Sequence, residues 1–218
     1  MIILLLGPPG AGKGTQGERI AQRLGIPKLA TGDVLRAAVR DRTPEGLRAR
    51  EYMDRGELVP DAVILGIMRE ALERPDAARG VVLDGVVRTV PQAEGLERLL
   101  AELGRNVDAV VLFDIDEAEL IQRLSTRTVC EVCQTPYTGR PPGSTCEKGD
   151  GGRLVRRKDD EPAAIRKRMS EYRKQTEPVV EWYRRRADGA AGGTRFITIE
   201  AVGRPDEITE RLWQALRP

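Results

Sequence analysis

The sequence predicts an α/β fold, a parallel sheet with helices on both of its faces. Short runs that are apolar on every residue alternate with longer segments of helical periodicity, and a strand buried on both sides reads as such a continuous run. The first of these runs passes at once into a glycine-rich turn and then a helical segment. Two stretches break the alternation and read as excursions from the sheet.

Residues 2 to 6 (IILLL) are the clearest central strand, followed by a helix over 14 to 24 and a weaker strand over 26 to 30. VVLD at 81 to 84, AVVLFDI at 109 to 115 and RFITIE at 195 to 200 complete the sheet. Amphipathic segments at 61 to 73, 91 to 103, 117 to 126, 162 to 186 and 205 to 216 supply its covering helices. ADGAAGGT at 187 to 194 reads as a loop. The excursions are 31 to 60, with helical pieces but no buried strand, and 128 to 158, rich in Gly, Pro, Thr and Cys.

A chain of 218 residues can bury a full core, and its +2 net charge makes no general case for nucleic acid or an anionic membrane. No apolar run reaches the roughly 18 residues of a membrane span. The opening IILLL lacks the basic flank and cleavage site of a signal peptide, so the cytosol is the expected location. Three cysteines argue against a secreted disulfide framework. The absence of histidine excludes His triads, His metal sites and His acid–base relays. That absence favours chemistry done by positioning and charge over proton relays.

GPPGAGKGT, from Gly7 to Thr15, carries the Gly7 to Gly12-Lys13 core of G-x-x-x-x-G-K-S/T, with the hydroxyl residue one place late after Gly14. Glycines let successive N–H groups turn inward, and the following helix adds its positive end. Gly10, Ala11, Gly12, Gly14 and Thr15 are expected around the phosphates of a nucleoside triphosphate, with Lys13 on the outer ones.

GPPGAGKGTQ resembles the phosphate loop of the adenylate kinases, and three further motifs follow in that family's order. TGDVLRAAV (31 to 39) with GELVPD (56 to 61) is similar to its monophosphate segment, LDGVVRT (83 to 89) with Gln92 to its monophosphate loop, and RKDDEPAAIRKRMSEY (157 to 172) to its lid exit. The resemblance covers residues 1 to 216. It implies a P-loop NTPase-type sheet with a core of 1–30, 60–126 and 164–218, a monophosphate-binding insertion at 31–59 and a lid at 127–163. It also implies a cytoplasmic monomer that serves nucleotide biosynthesis by reversible phosphoryl transfer from Mg-ATP to AMP.

Under that resemblance Lys13, Arg88, Arg127, Arg157 and Arg168 are catalytic. Arg123, Arg127, Tyr137 and Gly203 join the loop in binding ATP. Thr31, Arg36, Glu57, Leu58, Val59, Gly85 and Gln92 bind AMP together with Arg88, Arg157 and Arg168. Asp84 orders Mg²⁺ through water. The spacing of Arg123 and Arg127 places both on one helical face. Asp159 and Asp160 serve either the phosphate site or salt bridges. Two departures stand out: Val86-Val87 where the family usually has Phe-Pro, and Ala201 where it commonly has Gly.

Cys130-x2-Cys133 with Cys146 resembles the zinc knuckle in the lid of some family members, and Asp150 is the candidate fourth ligand of a structural Zn²⁺. Reduced thiols in a hydrogen-bonded lid are the other reading. Three further functions stay open at this point: a UMP/CMP kinase, a nucleotide-dependent switch, and a zinc-ribbon nucleic-acid binder. A single Tyr beside the cysteines counts against the last.

Overall fold

The computed structural model describes residues 1–40, 42–55, 57–188 and 193–217. Gly56 of GELVPD and residues 189 to 192 of the 187 to 194 loop lie outside them. Among the described residues, β1 (Ile2–Leu6), β2 (Lys28–Ala30), β3 (Val81–Asp84), β4 (Ala109–Asp114) and β8 (Arg195–Glu200) form one sheet in the order β2-β3-β1-β4-β8. All its pairings are parallel.

Strand β1 lies at the centre, where both faces need cover. Ile2, Leu4 and Leu6 pack with α4 (Asp61–Glu73), α5 (Val90–Glu102) and α8 (Glu177–Asp188). Ile3 and Leu5 pack on the other side with α1 (Lys13–Leu24) and α9 (Pro205–Leu216). Five consecutive aliphatics are thus what a doubly covered strand requires. Helix α1 can lie this close because residue 17 is glycine: a Cβ there would stand 2.9 Å from Leu5 Cδ1.

Beyond β1 the strand connections run to opposite sides, so a crevice opens at the carboxyl ends of the strands. Both excursions arise next to it. The first contains α2 (Thr31–Arg40) and α3 (Pro44–Asp54), which cross where a Cβ on Gly46 would stand 2.2 Å from the Ala38 carbonyl. The second follows α6 (Glu117–Thr126) and contains a small antiparallel sheet of β5 (Arg127–Cys130), β6 (Pro136–Thr138) and β7 (Leu154–Val155). The segment expected as one helix over 162 to 186 is α7 (Pro162–Glu171), a π-helical turn over Tyr172–Thr176, and α8.

One expectation is corrected here. Arg127 does not share a helical face with Arg123, because α6 ends at Thr126 and Arg127 is extended (φ −70°, ψ 132°). At this end the Thr126 hydroxyl donates to the Gln122 carbonyl at 2.9 Å and the Arg127 amide to that of Leu124. Arg123 stays on the helix, paired with Glu119 at 2.9 Å.

Candidate active site

The loop after β1 wraps into an anion cradle. Gly7, Gly10 and Gly12 have φ of 140°, 87° and 91°, conformations that L side chains rarely adopt. A Cβ on Gly10 would collide with Leu124 of α6 at 2.9 Å, which seats the loop on that helix. Ala11 is buried, Gly12 caps α1, and Gly14 and Thr15 lie in its first turn. Lys13 Nζ donates to the Gly7 and Pro8 carbonyls at 2.7 and 2.8 Å, bridging the cradle from within.

Burial lowers the Lys13 pKa to about 8; Asp84 opposes the shift, and Arg88, Arg168 and Arg127 reinforce it. Asp84 ends β3 with its carboxyl pKa raised by burial, while Lys13 and Lys28 pull it back down. Gly14 makes room for it, since a Cβ there would stand 3.2 Å from Asp84 Oδ2. A carboxylate beside the cradle, backed by cations, suits an ion that keeps most of its waters and enters with phosphate.

Two adjoining spaces open beside the cradle. The first, about 570 Å³, touches Gly7, Pro9, Lys13, Arg88, Arg168 and the π-helical turn through Tyr172 and Thr176. The second, about 610 Å³, is lined by Thr31, Arg36, Glu57, Leu58, Val59, Gly85, Arg88, Gln92 and Arg168. Leu58, Gly85, Arg88 and Arg168 belong to both, so the spaces meet at two arginines. Val86 replaces the expected aromatic in the second space, whose remaining wall includes Leu35, Met53 and Ile64. Those aliphatics escaped the sequence reading because they also satisfy the pattern of ordinary core positions.

The arginines are held by carboxylates, one of them buried. Asp160, 1% exposed at its side chain, accepts from Arg127 Nε and Nη2 at 2.7 and 2.5 Å and from Arg168 Nη1 at 3.0 Å. Asp159 Oδ2 lies 3.1 Å from Arg168 Nη1. Both aspartates are thus paired with arginines of the site. Arg36 pairs with Asp33. Among the described residues, Arg36 Nε and Arg157 Nε are buried side-chain nitrogens without a hydrogen-bond partner. Burial, then Arg36 and Arg127, lowers the Arg157 pKa to about 10, so at neutral pH it stays charged among like charges. Buried donors without acceptors and crowded cations both favour a bound anion.

The loop bearing Arg88 is pinned on three sides. Arg88 Nε reaches the Gly85 carbonyl at 3.2 Å, Gln92 Oε1 accepts from Arg88 N at 2.7 Å, and the Thr176 hydroxyl donates to the Arg88 carbonyl at 3.0 Å. Thr31 is buried, its hydroxyl donating to the Gly85 carbonyl at 2.9 Å. No sequence period marks Thr176, which lies where the helix widens for one turn.

Two residues expected at ATP, Tyr137 and Gly203, make the following contacts in this structure. The Tyr137 phenol meets Cys146 Sγ at 3.3 Å and accepts from Glu147 N at 3.3 Å, with Arg140 over its ring. It packs against the cysteine cluster. Gly203 (φ 106°) forms the turn from β8 into α9, beside Glu207 and Arg211. The Pro205 carbonyl two residues on accepts from Gln16 of α1 at 2.8 Å. Ala201 is fully buried.

Cys130, Cys133, Cys146 and Asp150 bring three sulfurs and a carboxylate oxygen within 4.8 Å of one another. Cys133 and Cys146 sulfurs are 3.7 Å apart, and Asp150 oxygens lie 3.3 and 3.5 Å from Cys130 Sγ. The Val132 and Cys133 amides donate to Cys130 Sγ at 3.3 and 3.4 Å, as they would to a thiolate. This donor set fits a four-coordinate zinc. The Glu147 carboxylate, next to Cys146 in the chain, pairs instead with Arg140 at 2.6 Å.

A family model described as adenylate kinase matches residues 5–188. The chain is 62% identical to an adenylate kinase of Gemmatimonas aurantiaca over 218 residues, 100% of this chain and 99% of that protein. It is 48% identical over 187 residues to one of Bacillus subtilis, covering 84% of this chain and 86% of that one. An adenylate kinase of Methanosarcina barkeri is 40% identical over 224 aligned positions, 100% and 99% of the two chains. A parallel sheet with a phosphate cradle, an arginine-ringed pair of clefts and this likeness along the full chain agree: the protein belongs to the adenylate kinase family of nucleoside monophosphate kinases.

Proposed function

We propose that the protein transfers the γ-phosphoryl group of Mg-ATP reversibly to AMP, giving two ADP. The observation that carries this reading is the meeting of two spaces at Arg88 and Arg168: one backs onto the phosphate cradle, the other onto an aliphatic wall with Thr31 and Gln92. ATP phosphates in the cradle and an AMP phosphate at Arg36 and Arg88 would then face each other with cations around the transferred group. Such a transfer needs alignment and neutralisation more than covalent help.

In this reading Lys13 leaves the Gly7 and Pro8 carbonyls for the outer phosphates of ATP. Arg127 and Arg168, held by Asp160, and Arg157 close on the transferring group. Asp84 would hold, through water, the magnesium bound to ATP, which would supply charge neutralisation. Residues 31–59 and 127–163 act as two covers over one core, and the chain works as a monomer, since one chain provides every residue invoked. Among the described residues no helix is long and apolar enough to cross a membrane, which suits an enzyme acting on free nucleotides in the cytoplasm.

An acceptor panel tests the reaction. AMP is expected to be used at least about tenfold better than UMP or CMP in kcat/KM, roughly 1.4 kcal/mol of discrimination. A pyrimidine preference would overturn the choice of acceptor.

The lowered pKa of Lys13 makes a second test. In the free enzyme the lysine is charged below about pH 8 and neutral above it. Phosphate attraction is therefore present at neutral pH and lost as pH rises through 8, giving kcat/KM for ATP an alkaline limb there. Bound phosphates favour the charged form, so the corresponding limb in kcat moves to higher pH. A kcat/KM profile flat to pH 9.5 would show that Lys13 does not titrate as the site requires.

A further inference from the structure

Gln92 lines the acceptor space and is 1% exposed, and its amide is held at both ends. Nε2 donates to Asp61 Oδ1 at 2.7 Å, and Oε1 accepts from Arg88 N at 2.7 Å. The chemistry of the partners allows no other orientation. Ionised Asp61 only accepts and the Arg88 amide only donates, so a flipped Gln92 would set oxygen against carboxylate and N–H against N–H. Thr89 completes the set, capping α5 by accepting from Gln92 N at 3.2 Å while its hydroxyl stands 3.5 Å from both Asp61 oxygens. Asp61 is itself the first residue of α4. The starts of two helices thus lock one amide.

A primary amide carries two N–H donors and two carbonyl lone pairs. With one of each consumed, Gln92 has one donor and one acceptor left, in fixed relative positions. A 6-aminopurine offers an amino donor at position 6 and a bare nitrogen acceptor at position 1. A 6-oxopurine offers an acceptor at 6 and an N–H donor at 1, the reverse order. A freely turning amide could match either base by flipping, whereas a locked one matches a single order.

We propose that Asp61 is a positioning residue for base choice: by locking the Gln92 amide it makes the acceptor space discriminate 6-amino from 6-oxo purines. The proposal rests on the reading that the acceptor is AMP, whose base occupies the space Gln92 lines. Asp61 touches no base in this account and acts only through Gln92.

The test is the ratio of kcat/KM for AMP to that for IMP, with ATP as donor, in the wild type and in Asp61→Asn. The substituted amide is nearly isosteric with the carboxylate and can present either of its ends, so only the Arg88 N–H still opposes a turn of Gln92 and the lock is halved. The ratio is expected to fall about tenfold, through KM for AMP and IMP rather than kcat, with KM for ATP unchanged. Asp61→Ser keeps a helix-start residue but is too short to reach Gln92; it should give the same fall if the Asp61→Asn variant does not fold. A merely structural role would lower activity toward both nucleotides alike, and a ratio kept within about twofold in a folded variant overturns the proposal. A wild type that shows no preference for AMP over UMP and CMP would instead sink the acceptor reading beneath it.

Discussion

Lys13→Met is expected to lower kcat on the order of 10²-fold or more while leaving the fold intact. The thioether keeps most of the stem that spans the cradle and removes the charge that ends it. In the structure Nζ is satisfied by two loop carbonyls at 2.7 and 2.8 Å. An arriving phosphate replaces those weak acceptors with a strong one. The attraction grows as negative charge gathers on the oxygens between donor and acceptor, so the loss falls on the transition state more than on nucleotide affinity. Destabilisation should be slight, because burial already disfavours the ammonium and Met relieves that cost. A purified, folded Met variant with near-normal kcat would remove Lys13 from the chemistry.

The arginines around this lysine show where a linear reading stops. Strand β1 was legible because five adjacent aliphatics admit few other environments, and the cradle because its glycines and lysine follow a spacing set by phosphate geometry. Arg123 and Arg127 obey helical spacing, but the helix expected over 117 to 126 ends at Thr126, so spacing alone did not put both on one face. The clamp on Arg127 and Arg168 comes from Asp160, 33 residues from the first and 8 from the second, so only the folded chain joins them. The three strands of the second excursion are two to four residues long and broken by Gly and Pro, too short for alternation to register. Asp61 likewise reads as an ordinary helix start until Gln92 is found against it. What was legible is local in the chain, and what was missed is the pairing of distant residues.

Those short strands lead to the second large effect, the expected unfolding of residues 127–163, the proposed lid, when metal is withheld from the cysteine cluster. Among the described residues, the buried cluster of this segment is Cys130, Cys146 and Leu154, with Tyr137 packed against it. So small an apolar cluster cannot by itself offset the entropy of ordering some thirty residues. A structural zinc supplies roughly 10–16 kcal/mol of apparent binding free energy to such sites, enough to decide whether they fold. Tetrahedral zinc with bonds of about 2.3 Å to sulfur sets sulfurs roughly 3.8 Å apart; Cys133 and Cys146 stand at 3.7 Å. The chain also makes room for the ligands, since a Cβ on Gly152 would lie 2.3 Å from Cys130 Sγ, and the Gly152 amide donates to Asp150 Oδ1 at 2.9 Å. Purified protein is therefore expected to carry about one equivalent of zinc, and a chelator should lower its melting temperature. Cys146→Ser should lose the metal and most of the lid's protection from hydrogen exchange while the core sheet keeps its own. Asp150→Ala should retain zinc more weakly, because water can take the fourth position but lacks the carboxylate's charge. Elemental analysis finding no zinc after expression in zinc-replete medium would defeat the metal site; undiminished retention in Asp150→Ala would defeat only the choice of Asp150 as ligand.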